Sequence, residues 1–362
     1  MDTVEQAKNF FLQGIGHYKA GRFAQARLQF EASLALVPGR ASTLTNLGAT
    51  LLRLGRLDEA LAILDEAIRA EPGNPEARGH RTTVLAELGR HEEALVSVDE
   101  VLRHDARLAP LWTVRGNLLR DLGRPQEAAS AFRTALEHGG DAAVNGYYLA
   151  ALTGGEAPSS PPRTYVQALF DGYAQGFEAH LVDVLHYRAP DILVDGLQGR
   201  RFERVIDLGC GTGLCGQRIR AQAGHVVGVD LSPNMAGQAG ARGVYDEVVC
   251  ADIVEFLEAL PMGKADLVLA ADVFIYVGAL EASFAGVQKA LAPGGVFAFS
   301  VELASEAQGF ALLPSLRYAH SLPYIQALAA RFGFEFLSTA QQPIREDQGV
   351  PIPGLYCWLR KA

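Results

Sequence analysis

The chain has 362 residues, 49% of them hydrophobic, which is enough to bury two separate cores. Its net charge of −9 argues against a nucleic-acid partner, because phosphate backbones are held by basic surfaces. The four cysteines, Cys210, Cys215, Cys250 and Cys357, form no Cys-x-x-Cys pair, which argues against a disulfide scaffold and leaves no candidate metal site. Met1 to Glu5 lack the basic start and apolar core of a signal peptide, and no apolar stretch free of charges reaches membrane-spanning length. A cytoplasmic protein with no membrane contact is expected.

The first element in chain order is a repeat. Gly-Arg pairs stand at Gly21, Gly55, Gly89 and Gly123, 34 residues apart, and alanines follow at Ala26, Ala60, Ala94 and Ala128. Gly14, Gly48 and Gly116 precede their turn glycines by seven residues, with Thr82 in that place in the third unit, and Pro38 and Pro72 close the first two units. Glycine permits a tight turn, small residues let paired helices approach, and proline stops the second helix. The period and these residues resemble the tetratricopeptide repeat, a helix–turn–helix unit. Units of about 7–40, 41–74, 75–108 and 109–142 are expected, with the apolar stretch 142–152 as a capping helix. By repeat phase the concave face includes Lys8, Phe11, Tyr18, Lys19, Arg53, Asn117 and Arg120. These do not form the lysine–asparagine clamp that grips chaperone C-termini. The resemblance implies another protein or peptide partner in the groove.

Thr153 to Pro162 has no apolar periodicity, and its Gly, Ser and Pro content reads as a linker. Beyond it, Phe170, Tyr173 and Phe177 recur at helical spacing, as on a helix that packs its apolar face.

The most specific motif follows. Val205 to Leu208 is a strand carrying Asp207, and it leads into Gly209-Cys210-Gly211-Thr212-Gly213; a second apolar run, from His225, ends on Asp230. The layout is that of a nucleotide-binding strand–loop–helix–strand unit, with Asp230 placed to accept from ribose hydroxyls. Gly211, Gly213 and Gly216 also satisfy the dinucleotide pattern, which leaves a nicotinamide-dependent oxidoreductase as an alternative. Asp207 opposes it, because a carboxylate there repels a diphosphate and attracts a cation.

Residues 248–253, 265–273 and 291–299 read as further strands, and Phe334–Ser338 with Leu355–Leu359 as a final antiparallel pair. Asp272 falls at the carboxyl end of the fourth strand, which faces the ligand crevice in open α/β sheets.

The Asp-x-Gly-x-Gly-x-Gly run resembles motif I of class I S-adenosylmethionine (SAM)-dependent methyltransferases, over roughly residues 164–362. Phe170 to Leu181 is similar to a segment of a methyltransferase group that includes members fused to tetratricopeptide repeats. The resemblance implies a Rossmann-like domain with a mostly parallel seven-stranded sheet and helices on both faces, following the α-helical solenoid. It implies SAM as cofactor. Asp207, Gly209, Cys210, Gly211 and Gly213 would hold its methionine part, Asp230 and Leu231 its ribose, Asp252 and Ile253 its adenine, and Tyr173 would lie near it in a covering segment.

On the acceptor side the chain lacks the Asn-Pro-Pro-Tyr, Pro-Cys and paired-glutamate signatures of several acceptor classes. Asp272 and Tyr276 are candidates for acceptor contact or proton removal, and His320 is the candidate general base. The expected domains are repeats at 1–152, a linker at 153–163 and the methyltransferase domain at 164–362. Two functions stand. One is an enzyme whose repeats recruit a protein substrate or partner. The other is a scaffold with a non-catalytic methyltransferase-like domain, and methylation of a small molecule with the repeats used for assembly also remains open.

Overall fold

The computed structural model describes residues 3–166, 169, 181, 185–304, 309–347 and 349–362. It divides into two units, residues 1–149 and 150–362. In the first, α1 (Thr3–Lys19), α2 (Phe23–Leu36), α3 (Ala41–Arg53), α4 (Leu57–Ala70), α5 (Pro75–Glu87), α6 (His91–His104), α7 (Ala109–Asp121) and α8 (Pro125–Glu137) alternate with short turns. Gly21, Gly55, Gly89 and Gly123 hold φ of 70°, 70°, 72° and 70°, the left-handed region that favours glycine.

The second glycine of each unit has a different cause. A Cβ on Gly14, Gly48 or Gly116 would stand 2.6, 2.5 and 2.5 Å from Phe30, Leu64 and Phe132 respectively. Those large residues recur at the 34-residue period, and the third unit alone has the smaller Val98 in that phase, where Thr82 replaces glycine. Both Thr82 and Val98 are buried. Each unit therefore fills the same space with a different division of volume between its two helices.

Helix α9 (Ala142–Thr153) buries Tyr147 and Tyr148, and Tyr148 stacks on Phe132 with centroids 4.9 Å apart. Several groove residues are used inside the array. Arg40 lies over Phe11, Arg53 over Phe23 and Arg120 over Tyr148, at 5.3, 5.1 and 5.5 Å.

The second unit contains α10 (Ala189–Asp195), β1 (Phe202–Leu208), α11 (Leu214–Ile219), β2 (Ala223–Asp230), α12 (Pro233–Ala241), β3 (Glu247–Cys250) and α13 (Ile253–Ala259). It continues with β4 (Ala265–Ala270), α14 (Glu281–Ala290), β5 (Leu291–Leu303), β6 (Phe310–Leu312), β7 (Tyr318–His320), α15 (Leu322–Arg331), β8 (Phe334–Asp347) and β9 (Val350–Lys361). β3-β2-β1-β4-β5 are parallel neighbours, and β9 runs antiparallel between β5 and β8. Side-chain alternation feeds two cores. Ile206, Leu208, Val268, Phe297 and Phe299 enter one, while Val205, Leu267, Leu269, Val296 and Ala298 enter the other with Leu193 and Trp358.

The sheet departs from expectation in two ways. Seven strands were expected, and the described residues give nine, because β6 and β7 form a hairpin on the end of β5. β4 pairs with β5 as far as Phe299, and β7 pairs with Glu302 and Leu303 beyond it. β8 and β9 also run through the expected Pro/Gly gap, with a register shift between Pro343 and Glu346 that absorbs the irregularity.

Half of the expected linker is part of the second unit. The Ser159 carbonyl accepts from Gly278 N–H at 3.0 Å and Ala279 N–H at 2.9 Å, and the Tyr318 hydroxyl donates to the Pro158 carbonyl at 2.9 Å. The loop after β4 thus takes up a strap carbonyl that no helix or strand uses.

Candidate active site

The carboxyl ends of β1, β2 and β4 open onto a cavity of about 840 Å³, within the roughly 300–1,000 Å³ of small-molecule sites. Asp207, Gly209, Cys210, Gly211, Asp230, Leu231, Asp252, Ile253, Asp272 and Tyr276 all line it. His320 and Gly213 do not. Tyr173, with residues 170–180, lies outside the described residues, though Leu169 and Leu181 on either side reach the lining.

The loop after β1 turns on φ of 60°, 54° and 101° at Gly209, Gly211 and Gly213. Gly211 leaves open space where a Cβ would stand, so a ligand can approach its backbone. Gly213 caps the start of α11 from outside the lining. Gly216 makes room for a residue that the sequence did not single out. Its missing Cβ would collide with the Tyr245 ring, and the Tyr245 hydroxyl accepts from Gly216 N–H at 3.2 Å while donating to Asp207 at 2.6 Å. Tyr245 is thus the support of the motif I carboxylate, and no periodicity or motif marks it.

Asp207 is 1% exposed, and burial raises its pKa to about 7 against the pull of its bonds from Tyr245 and Gly216. Asp230 is likewise raised by burial. Its two oxygens each accept one backbone N–H, from Gly211 and from Ser232, both at 2.9 Å, which fixes the carboxylate plane and leaves lone pairs for a ligand. Among the described residues neither the buried Asp207 nor the half-buried Asp230 forms an ion pair, and a cationic ligand offsets the cost of their desolvation. The donor set fits SAM and opposes a diphosphate.

β3 ends at Cys250, and Asp252 caps α13, accepting from Val254 and Glu255 N–H at 2.8 and 3.2 Å. Arg163 of the strap pairs with Glu255 at 2.6 Å.

The far wall corrects two expectations. β4 stops at Ala270, and Asp272 stands in the following turn at φ 58°, with its N–H donating to Ser300 Oγ at 2.9 Å. Asp272 is no free base. Its Oδ2 accepts from Arg345 Nη1 at 2.5 Å, and Arg345 also pairs with Glu302 in a buried triad. Tyr276, in a turn of 3-10 helix, keeps its phenol protonated because burial raises its pKa. His320 is fully buried, packs beside Phe310 and Tyr324, and its Nε2–H donates to the Gly278 carbonyl at 2.9 Å. Burial lowers its pKa to about 4. All three residues of β7 are buried, and this imidazole sits in the core, where it supports the Gly278 turn and does not line the cavity. Neither Arg345 nor Glu302 was singled out from sequence.

Residues 206–299 match a family described as a methyltransferase domain, and residues 11–75, 51–118 and 113–160 match tetratricopeptide repeat families. The malonyl-[acyl-carrier protein] O-methyltransferase of Enterobacter lignolyticus (strain SCF1) is 35% identical over 156 residues, 42% of this chain and 57% of the relative. The protein of that name from Salmonella typhimurium is 32% identical over the same shares. The chain thus spans little more than half the length of these relatives. Among solved structures, a Burkholderia thailandensis 1,6-didemethyltoxoflavin-N1-methyltransferase with bound S-adenosylhomocysteine is similar at 21% identity and a TM-score of 0.45, over 57% of this chain and 93% of that one. Among the described residues no helix is long and apolar enough to cross a membrane.

Proposed function

We propose that this chain, in which tetratricopeptide repeats are joined to a methyltransferase domain, is a SAM-dependent methyltransferase whose repeats recruit a protein substrate or partner. The observation that carries the reading is the convergence of Asp207, the Gly209–Gly211 turn and Asp230 on one cavity. SAM supplies a methyl group on a positively charged sulfur. Asp207 and the glycine loop face its methionine part, Asp230 and Leu231 its ribose, and Asp252 and Ile253 its adenine edge. The strap, with Leu169 and Leu181 on the same lining, shields the reacting atoms from water. The relatives' name places their methyl acceptor on a carrier protein, and a protein-borne acceptor is what an array of this kind would recruit.

Calorimetric titration with S-adenosylhomocysteine tests the reading. Asp230→Ala should weaken binding by about 1.5–3 kcal/mol through loss of charge-assisted bonds to the ribose. Unchanged affinity in a variant with a native melting profile removes the ribose assignment. Recruitment is tested by comparing label transfer from radiolabelled SAM into lysate proteins for the full chain and for residues 154–362, which keep the strap. Equal protein labelling by both would overturn it.

A further inference from the structure

The cations of the repeat array are balanced at one end and open at the other. On the first helices of the third and fourth units, Arg78 pairs with Glu100, Arg81 with Asp65, Arg115 with Asp99 and Arg120 with Asp121. From residue 1 to the end of α3, six lysines and arginines stand against three acids, in a chain whose net charge is −9. Lys8 and Arg27 take up Glu5 and Glu31. Lys19, Arg22, Arg40 and Arg53 are exposed, and among the described residues none of the four makes an ion pair. Glu87 is the acid whose field reaches Arg53, and the two are not bonded.

Two of these arginines are seated on aromatic rings. Arg40 lies over Phe11 at 5.3 Å and Arg53 over Phe23 at 5.1 Å, and Tyr18 meets Phe23 edge-on with centroids 5.4 Å apart. Arg22 closes the same turn, its Nε donating to His17 Nδ1 at 3.0 Å. A guanidinium drawn to a ring face keeps its planar fork of N–H groups for an oxygen ligand. Among the described residues no hydrogen bond occupies either fork. Phe11, Tyr18, Lys19 and Arg53 belong to the groove by repeat phase. Phe11 and Tyr18 stand seven residues apart on α1, about 10 Å by helical rise, which an extended chain covers in about three residues.

We propose that the first two units seat an acidic, extended segment of a partner protein, with carboxylates about three residues apart on Arg40 and Arg53 and apolar side chains against Phe11 and Tyr18. The inference rests on the recruitment reading and names the chemistry of the recruited partner. Charge complementarity selects the occupant. Each carboxylate meets a fork already held in place by its ring. Lys19 and Arg22 add to the field that draws an acid to this end of the groove. An oligonucleotide would meet the same cations, but a net charge of −9 repels a long polyanion, whereas a short acidic segment needs this patch alone.

The test titrates the full chain into fluorescent peptides of about ten residues, blocked at both ends, with glutamate or glutamine at every third position and alanine and leucine between. The glutamate peptide should bind roughly tenfold more tightly at low salt, and the advantage should shrink as salt rises. Arg40→Gln with Arg53→Gln should abolish it. Arg69→Gln with Arg103→Gln, an equal loss of charge from α4 and α6, should preserve it. Equal binding of the two peptides, a preference that survives the first pair of changes, or one lost equally with the second pair overturns the proposal. So does tighter binding of oligothymidylate of like length through the same two arginines. The lysate assay keeps this failure apart from failure of recruitment. Protein labelling that needs the repeats but is unchanged by Arg40→Gln with Arg53→Gln leaves recruitment standing and overturns this surface. Labelling that ignores the repeats removes recruitment, and this proposal with it.

Discussion

The two units place charge in opposite ways. In the array, ion pairs lie on the surface and repeat with the fold: Arg56–Glu59, Arg90–Glu93 and Arg124–Glu127 within units, Arg81–Asp65 and Arg115–Asp99 between them. Each contributes little, and none decides the structure. In the second unit Asp207, Glu302 and Arg345 are buried, and Asp272 is only 11% exposed at its side chain. The array spreads its stability over many equivalent contacts. The second unit concentrates costly groups around one cavity, where a ligand or a single partner must balance them.

The largest expected effect breaks that concentration. Arg345→Met leaves Asp272 and Glu302 buried without their shared cation and should cost about 3–5 kcal/mol, read as a lowered denaturant midpoint. Neutralising both acids as well, with Asp272→Asn and Glu302→Gln, should recover most of the loss. A single variant as stable as the parent would show that water already screens the triad.

The next test separates packing glycines from conformational ones. Gly116→Ala drives a Cβ to 2.5 Å from Phe132, an overpacking cost of about 1–3 kcal/mol. The third unit already contains the remedy. Installing its pair, Gly116→Thr with Phe132→Val, should show a favourable coupling of about 1 kcal/mol or more in a double-mutant cycle. At Gly209 the same remedy should fail. A Cβ there also meets a neighbour, Val273, at 2.5 Å, but φ is 60°. Gly209→Ala with Val273→Ala therefore keeps a backbone penalty of about 1–2 kcal/mol. Additive behaviour at Gly116, or full rescue at Gly209, would erase the distinction.

This contrast also explains what could be read from the sequence. The array was legible because each unit solves one packing problem, and its answer recurs at a fixed interval. Motif I was legible because the close turn, the carboxylate and the second acidic strand end lie within one local stretch. The supports were not. Arg345 meets Asp272 from 73 residues away, and Tyr245 meets Asp207 from 38. No local pattern marks a partner at such a distance. His320 was misplaced for a related reason: topology brings its segment near the crevice, but a bond to the Gly278 carbonyl, 42 residues away, holds the ring in the core. The linker was half misread because composition reports lack of a core and says nothing of where its carbonyls bond.

The last test sharpens the comparison by titrating it. Burial holds Asp207 at about pKa 7 in the protein without ligand, against 3.8 as its ordinary value. The raised value means that the folded protein binds more protons than the unfolded chain between those two pH values. Asp207's stabilising contribution is therefore fully present below pH 3.8 and is lost as pH rises through 7. A cationic ligand reverses the preference, because it favours the ionised carboxylate. S-adenosylmethionine affinity should thus fall as pH drops below 7, by up to about tenfold per unit. Asp207→Asn should bind more weakly at pH 8, lose this slope, and be less destabilised than the parent as pH rises from 5 to 8. Taking the difference between parent and variant removes the ligand's own titration. Identical pH profiles in the two proteins would show that Asp207 is a structural acceptor for Tyr245 alone and takes no part in holding the cation.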